Sequence, residues 1–214
     1  TTIENAELIK VSYNTFISTK IAFINTIMEM CHKLPNTNID DVSNALQLGS
    51  RRLISGAYMR GGMGDGGGCH PRDNIALSWL AKELDISNDF FDQIMMQREK
   101  QTDWLADLIE ENAINNCKIY ILGKSFKPET NITTGSPSVL LNNILKERKI
   151  KTVFYDPYID EEKPKFEKGL YFIGTKHDIL EKFDFPKESV VLDPFRIINK
   201  NLKDVKVIRI GDNQ

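Results

Sequence analysis

Lys118-Ile119-Tyr120-Ile121-Leu122-Gly123-Lys124-Ser125-Phe126-Lys127-Pro128 is a short β-rich run that stops at a glycine and opens into a lysine-bearing turn. A helical pattern follows over residues 136–149. A second strand, Thr152–Tyr155, then ends in Asp156-Pro157. Short apolar runs at 171–173, 190–192 and 205–208 continue the series. Strands alternating with helices predict a parallel, doubly wound α/β sheet. Ligands of such sheets bind beyond the carboxyl ends of the strands. Lys127 and the helix starting at Ser136 therefore stand where phosphate is received, and Arg196, after another strand, offers a guanidinium for the same purpose. Alone this is a weak signal, because many strand–turn–helix units carry a Gly and a Lys without a ligand.

Upstream of residue 116 the pattern is helical. Ile9, Tyr13, Phe16, Ile17, Ile21, Ile24, Ile27, Met28 and Cys31 recur at helical spacing over 4–33, with no Gly or Pro before Pro35. The apolar surface of this helix is broad enough to be buried on more than one side. Further helices are expected at 40–48, capped by Asp40 or Asn38, at 74–84, and from 88 to about 115. The chain thus divides into a helical part, 1–116, and an α/β part, 117–214. It opens without Met and enters a helix almost at once, which reads as a piece of a longer protein.

Composition narrows the class. Of 214 residues, 41% are hydrophobic and 27% charged, with net charge −2, as in a globular protein. No basic block points to nucleic acid or an anionic membrane, and the apolar runs fall short of the ~20 residues that span a bilayer. The three cysteines, Cys31, Cys69 and Cys117, are odd in number and irregularly spaced. They predict no disulfide framework and fit a reducing cytoplasm. His32, His70 and His177 are scattered and suggest no metal set.

One cysteine has unusual neighbours. Residues 61–68 hold six glycines in eight positions, and Cys69 ends the run just before a predicted helix. A helix N-terminus stabilises a thiolate through its partial positive charge and unpaired N–H groups, so a nucleophile is favoured over an inert buried thiol. Asp73 falls where it would cap a helix starting at Asn74. Lys10 and Asn14, four apart, share one face of the first helix. From spacing alone a task and a solvated position weigh equally for that lysine.

Taken together, these segments resemble the UDP-glucose/GDP-mannose dehydrogenase family. Glu7-Leu8-Ile9-Lys10-Val11-Ser12-Tyr13-Asn14 is similar to that family's Glu-Leu-x-Lys-Tyr-x-x-Asn. Gly64-Asp65-Gly66-Gly67-Gly68-Cys69-His70-Pro71-Arg72-Asp73 is similar to its Gly-Phe-Gly-Gly-Ser-Cys-Leu-Pro-Lys-Asp. Leu122-Gly123-Lys124-Ser125-Phe126-Lys127-Pro128 with Ser136-Pro137, and Tyr155-Asp156-Pro157-Tyr158, fit its nucleotide-binding part. Where the family has Asn-Thr-Asp-Asp-x-Arg-x-Ser-Pro, this chain reads Glu129-Thr130-Asn131-Ile132-Thr133-Thr134-Gly135-Ser136-Pro137. Both acids and the Arg are replaced.

The resemblance implies a helical central domain that forms a homodimer through its first helix, then a Rossmann-like domain binding a nucleotide-sugar, with NAD held by a further N-terminal domain. No G-x-G-x-x-G follows a strand within this sequence. The implied reaction oxidises a sugar C6 alcohol to a uronic acid through a Cys69 thiohemiacetal and thioester. Lys10 and Asn14 hold the oxyanion, and Asp73 orients or deprotonates water. Substrate contacts fall to Gly64, Gly66, Gly67, Phe126, Lys127 and Arg196, and to Arg52 reaching a neighbouring subunit's substrate, with Arg51 almost equally placed. Two other readings remain. One is a β-hydroxyacid dehydrogenase, which shares the Lys/Asn helix; the other is a non-catalytic nucleotide-sugar-binding dimerisation module.

Overall fold

The computed structural model describes residues 1–6, 9–10, 16, 19–20, 23, 27, 30–31, 34–55, 61–64, 66–68, 70–113 and 117–212, the side chain of Asp73 excepted. The chain forms two compact units. The first comprises 1–60 and 75–93, the second 61–74 and 94–214.

In the first unit, the described residues of the expected 4–33 helix are helical, and the others lie outside the described set. Helix α1 spans Ile39–Gln47. Asn38 caps it, its side chain accepting from the Asp40 N–H at 2.8 Å, so the cap is Asn38 and not Asp40. Helix α2, His70–Glu83, starts four residues earlier than the sequence pattern suggested. Proline is well placed in a first helical turn, where its missing N–H has no intrahelical partner to lose, and Pro71 occupies that position. Asp73 is therefore a helical residue of the first turn and not the cap. Helix α3 spans Phe90–Asn112. Met30, Ala81 and Phe91 form the core of this unit, with Phe23, Ile27 and Leu77 against them. Phe23, Phe90 and Phe91 meet edge to face, with centroids 6.0–6.3 Å apart.

The second unit is built on five strands: β1 Lys118–Leu122, β2 Thr152–Tyr155, β3 Gly169–Ile173, β4 Val190–Asp193 and β5 Lys206–Arg209. They lie in the order β2-β1-β3-β4-β5, every pair parallel. Helix α4, Pro137–Glu147, connects β1 to β2. Ser136 caps it, accepting from Ser138 and Val139 N–H, with Pro137 opening the first turn.

Alternation along each strand assigns two faces. Ile119, Ile121, Leu170, Phe172 and Leu192 meet Leu141 and Leu145 of α4 and Leu105, Ala106 and Ile109 of α3. The other face is aromatic. Tyr120 and Tyr171, register partners on adjacent strands, stack at 4.6 Å and 8°, and Phe166, Phe183 and Phe185 surround them. One 3-10 helix, Asp178–Lys182, and connecting loops cover this face where a doubly wound sheet would place α-helices. The backbone of Glu167 satisfies both tyrosine hydroxyls: its N–H donates to Tyr120 Oη, and its carbonyl accepts from Tyr171 Oη at 2.6 Å. Burial pushes the Tyr171 hydroxyl well above its ordinary pKa.

Among the described residues no helix is long and apolar enough to cross a membrane. Leu141 is fully buried between the sheet and α3. Leu141→Ala should cost about 2–5 kcal/mol through lost burial and the cavity left behind, read from urea unfolding of the two chains.

Candidate functional site

The carboxyl ends of β1, β2 and β3 lead into three turns that interlock. Gly123 N–H donates to the Tyr155 carbonyl and Gly174 N–H to the Leu122 carbonyl, both at 2.7 Å. Thr175 Oγ1 donates to the Ser125 carbonyl at 2.7 Å, and Ser138 Oγ of α4 donates to the Gly123 carbonyl.

At the centre of these turns is Asp156, the residue after β2, with no exposed surface. Its Oδ2 accepts from Lys124 N–H at 2.6 Å and Ser125 N–H at 3.1 Å, and its Oδ1 accepts from Tyr158 N–H at 2.8 Å. His177 Nε2 lies 3.1 Å from Oδ2. Burial alone would raise this carboxyl's pKa. The histidine and the three backbone donors outweigh burial and bring it from 3.8 down to about 2.

His177 is fully buried too. Its Nδ1 accepts the Glu129 N–H at 3.0 Å. Its Nε2 also lies 3.2 Å from Ser125 Oγ, whose own hydrogen goes to the Lys127 carbonyl. Its ring sits 4.7 Å from that of Tyr158. With one ring nitrogen accepting and the other facing two acceptors, the geometry assigns the neutral ring protonated at Nε2.

These contacts close the 124–129 loop and present Phe126 and Lys127. Lys127 is exposed, its ammonium 5.4 Å from the Phe126 ring. Lys124 is instead ion-paired to Asp160. Against Phe126 lies the glycine run. Gly67 and Gly135 both adopt positive φ, +86° and +66°, and a Cβ on Gly135 would stand 2.3 Å from the Gly67 carbonyl oxygen. A Cβ on Gly66 or Gly67 would meet Phe126 at 2.9 Å. Only glycine permits this approach. Gly68, by contrast, faces open space, so replacing the resembling family's serine there creates no steric need.

Three long side chains hold the run by its carbonyls or by those beside it. Gln101 Nε2 donates to the Gly62 carbonyl at 3.0 Å, Arg98 to the Gly135 carbonyl at 3.0 Å and Arg196 to the Gly61 carbonyl at 2.6 Å. Met63 packs into the core below. Arg196 has φ +59°, a conformation rare outside glycine, held by Asp193 Oδ1 accepting the Phe195 and Arg196 N–H groups. Its guanidinium also donates to the Pro194 and Ile210 carbonyls.

The second unit thus brings together Gly64, Gly66, Gly67, Phe126, Lys127 and Arg196. Lys10 and Arg52 are exposed residues of the first unit. Asn14, Cys69 and the Asp73 side chain lie outside the described residues, although α2 begins at His70, next after Cys69 in sequence. Cys31 and Cys117 are free and half-buried. Sequence reasoning missed Asp156, His177, Arg98 and Gln101. An acid directly after a strand was the available signal for Asp156.

A carboxyl with a lowered folded pKa stabilises the fold fully above its unfolded value and loses that contribution as pH falls through the folded value. Asp156 should therefore contribute about 2 kcal/mol above about pH 4, lost as pH falls toward 2. Urea unfolding across this range should show the loss in the native chain and much less of it in Asp156→Asn. In the glycine contact, Gly135→Ala should destabilise by more than about 1 kcal/mol, whereas Gly68→Ser should stay within about 0.5 kcal/mol of the native chain. Melting curves of the two variants would compare them.

Comparison with known proteins bears on this site. Residues 4–99 match the central domain of the UDP-glucose/GDP-mannose dehydrogenase family, and residues 120–206 match its UDP binding domain. The chain is 31% identical over 159 residues to the UDP-glucose 6-dehydrogenase TuaD of Bacillus subtilis, covering 73% of this chain and 34% of that protein. It is 31% identical over 173 residues to the UDP-glucose 6-dehydrogenase of Rhizobium meliloti, covering 79% and 39%. Its fold matches a GDP-mannose dehydrogenase from Pseudomonas aeruginosa with TM-score 0.80 at 20% identity, over 96% of this chain and 53% of that one. The chain spans between a third and a half of the length of these two curated relatives.

Proposed function

Because this chain belongs to the UDP-glucose/GDP-mannose dehydrogenase family, we propose that it is part of a nucleotide-sugar 6-dehydrogenase that converts the C6 alcohol of a UDP-linked sugar to a uronic acid. The observation that carries this reading is the contact of the glycine run with Phe126 and the Gly135 turn at the carboxyl edge of the sheet. That contact sets the loop ending in Cys69 beside the loop bearing Lys127, within one compact unit. UDP-glucose 6-dehydrogenases among the relatives favour UDP as the nucleotide, while the altered 129–135 segment leaves the sugar open. The match of 120–206 to a UDP binding domain counts against a β-hydroxyacid dehydrogenase, whose resemblance covers only the first helix.

The family is NAD-dependent, and two NAD molecules would each accept one hydride from C6. Among the described residues no glycine-rich dinucleotide turn follows a strand. What falls to this chain is the carbon–sulfur chemistry. The Cys69 thiolate adds to the C6 aldehyde, giving a thiohemiacetal after protonation of the oxygen. Once the hydroxyl proton has gone to solvent and a hydride from that carbon to a second NAD molecule, a thioester would remain. Water then adds, the carbon–sulfur bond breaks, and carboxylate and thiol separate. The start of α2 at His70 favours the thiolate through its unpaired N–H groups. Lys10 and Asn14 would steady the oxyanion, and Asp73 would orient the water.

The nucleotide would meet Phe126, Lys127 and Gly64, Gly66 and Gly67. Arg196 would reach phosphate with the guanidinium N–H groups that its three carbonyl ties leave over, and Arg52 would reach the substrate of a neighbouring subunit. The helical region 1–116 would serve catalysis and dimerisation, and 117–214 would bind nucleotide-sugar. Exposure of Ile3, Ile9 and Phe16, on helical residues near the start of the chain, supports a symmetric homodimer through that helix. The protein would work in the cytoplasm.

Calorimetric titration tests the binding half. UDP and UDP-glucose should bind the native chain. Lys127→Ala should weaken both at least about tenfold, the loss of one charge-assisted phosphate contact. Equal affinity in the variant, or no UDP binding in the native chain, would remove the nucleotide from this edge of the sheet.

A further inference from the structure

We propose that His177 is a positioning residue that clamps the 124–129 loop and, through Phe126, sets the glycine run that ends at Cys69. It lies far in sequence from every residue it would serve and touches none of the expected reacting groups. The clamp rests on the nucleotide-sugar reading only for its purpose, because its geometry is independent of any ligand.

The histidine joins the loop at two points. Glu129 N–H, at the far end of the loop, donates to Nδ1 at 3.0 Å. Ser125 Oγ, at the near end, lies 3.2 Å from Nε2. The same Nε2 faces Asp156 Oδ2, which holds the Lys124 and Ser125 N–H groups. The loop's two ends are thereby drawn to one buried imidazole, and Phe126 N–H closes the turn on the Ile132 carbonyl at 3.0 Å. Glu129 takes φ +55° at this point, a conformation that a non-glycine residue keeps when its surroundings hold it there. Phe126, between the two anchors, has its Cβ and ring in the space that a side chain on Gly66 or Gly67 would fill. Displacing Phe126 would therefore open the glycine run directly.

Both ring nitrogens are needed. Phenylalanine at 177 keeps bulk and the Tyr158 contact but leaves the Glu129 N–H without its acceptor and takes one of three donors from Asp156 Oδ2, which is costly to a fold. Asparagine keeps an acceptor near Nδ1 and lacks the reach to Asp156. Glutamine keeps a donor toward Asp156 and lacks the acceptor for Glu129.

Three readouts on the 214-residue chain test the proposal. Nitrogen-15 NMR of the histidines should show His177 as the neutral ring protonated at Nε2 at pH 7, and an imidazolium or an Nδ1–H tautomer would overturn the assignment. Hydrogen-exchange mass spectrometry should show exchange at least tenfold faster in peptides covering 122–130 and 61–68 for His177→Phe, with peptides of β3 unchanged. His177→Asn and His177→Gln should fall between that variant and the native chain, and they carry the test if the phenylalanine variant does not fold. Unchanged exchange at 61–68 in the folded variants would overturn transmission to the glycine run, and unchanged exchange at 122–130 would overturn the clamp itself. UDP affinity should fall at least tenfold in His177→Asn although Lys127 is intact. Failure of the native chain to bind UDP would refute the nucleotide-sugar reading and leave the clamp to be decided by exchange.

Discussion

A buried carboxylate is stable only where donors surround it, and Asp156 is the one on which the carboxyl edge of this sheet depends. It collects two N–H groups from the turn after β1, one from its own turn after β2, and the imidazole of His177 from beyond β3. Three turns converge on one charge. Remove the carboxylate and those donors lose their acceptor together, so the turns are held as a set. The aromatic face beneath them adds rigidity, with Tyr120 and Tyr171 stacked across the β1–β3 register and tied to the backbone of Glu167.

From that fixed edge the order passes outward to the glycine run. Phe126 occupies the room that side chains at 66 and 67 would need, and the Gly67–Gly135 approach leaves no space for a Cβ. Donors from α3 and from the turn after β4 then take the carbonyls of Gly61, Gly62 and Gly135. Arg196 illustrates the difference between residue type and placement. Its position after a strand suggested a phosphate ligand, and in the fold its guanidinium binds three carbonyls. Its contribution to a phosphate site, under the proposed function, is shared with a structural one.

Much of this architecture was legible because its signals are local. Each of the five strands appears as an apolar run bounded by turn residues, and Ser136-Pro137 announces the start of α4. The start of α2 was misplaced because an aspartate at 73 resembles a cap, while Pro71 is itself a good first-turn residue. His177 was illegible for another reason. Its partners stand 21, 48 and 52 residues away, and no period or motif along the chain links a histidine to a serine, an aspartate and a backbone amide that distant. Arg98 and Gln101 were hidden likewise, since on α3 they look like ordinary solvated helix residues until the glycine carbonyls arrive opposite them.

Under the proposed function, Cys69 is a nucleophile beside a nucleotide-sugar site. Timed iodoacetamide labelling at neutral pH, followed by mass spectrometry of all three cysteines, measures it most directly when repeated with and without UDP-glucose and compared with denatured chain. In the folded chain Cys69 should label faster than Cys31 and Cys117, and UDP-glucose should slow Cys69 alone while free glucose slows none. Equal labelling of the three thiols, or a Cys69 rate indifferent to UDP-glucose, would contradict it.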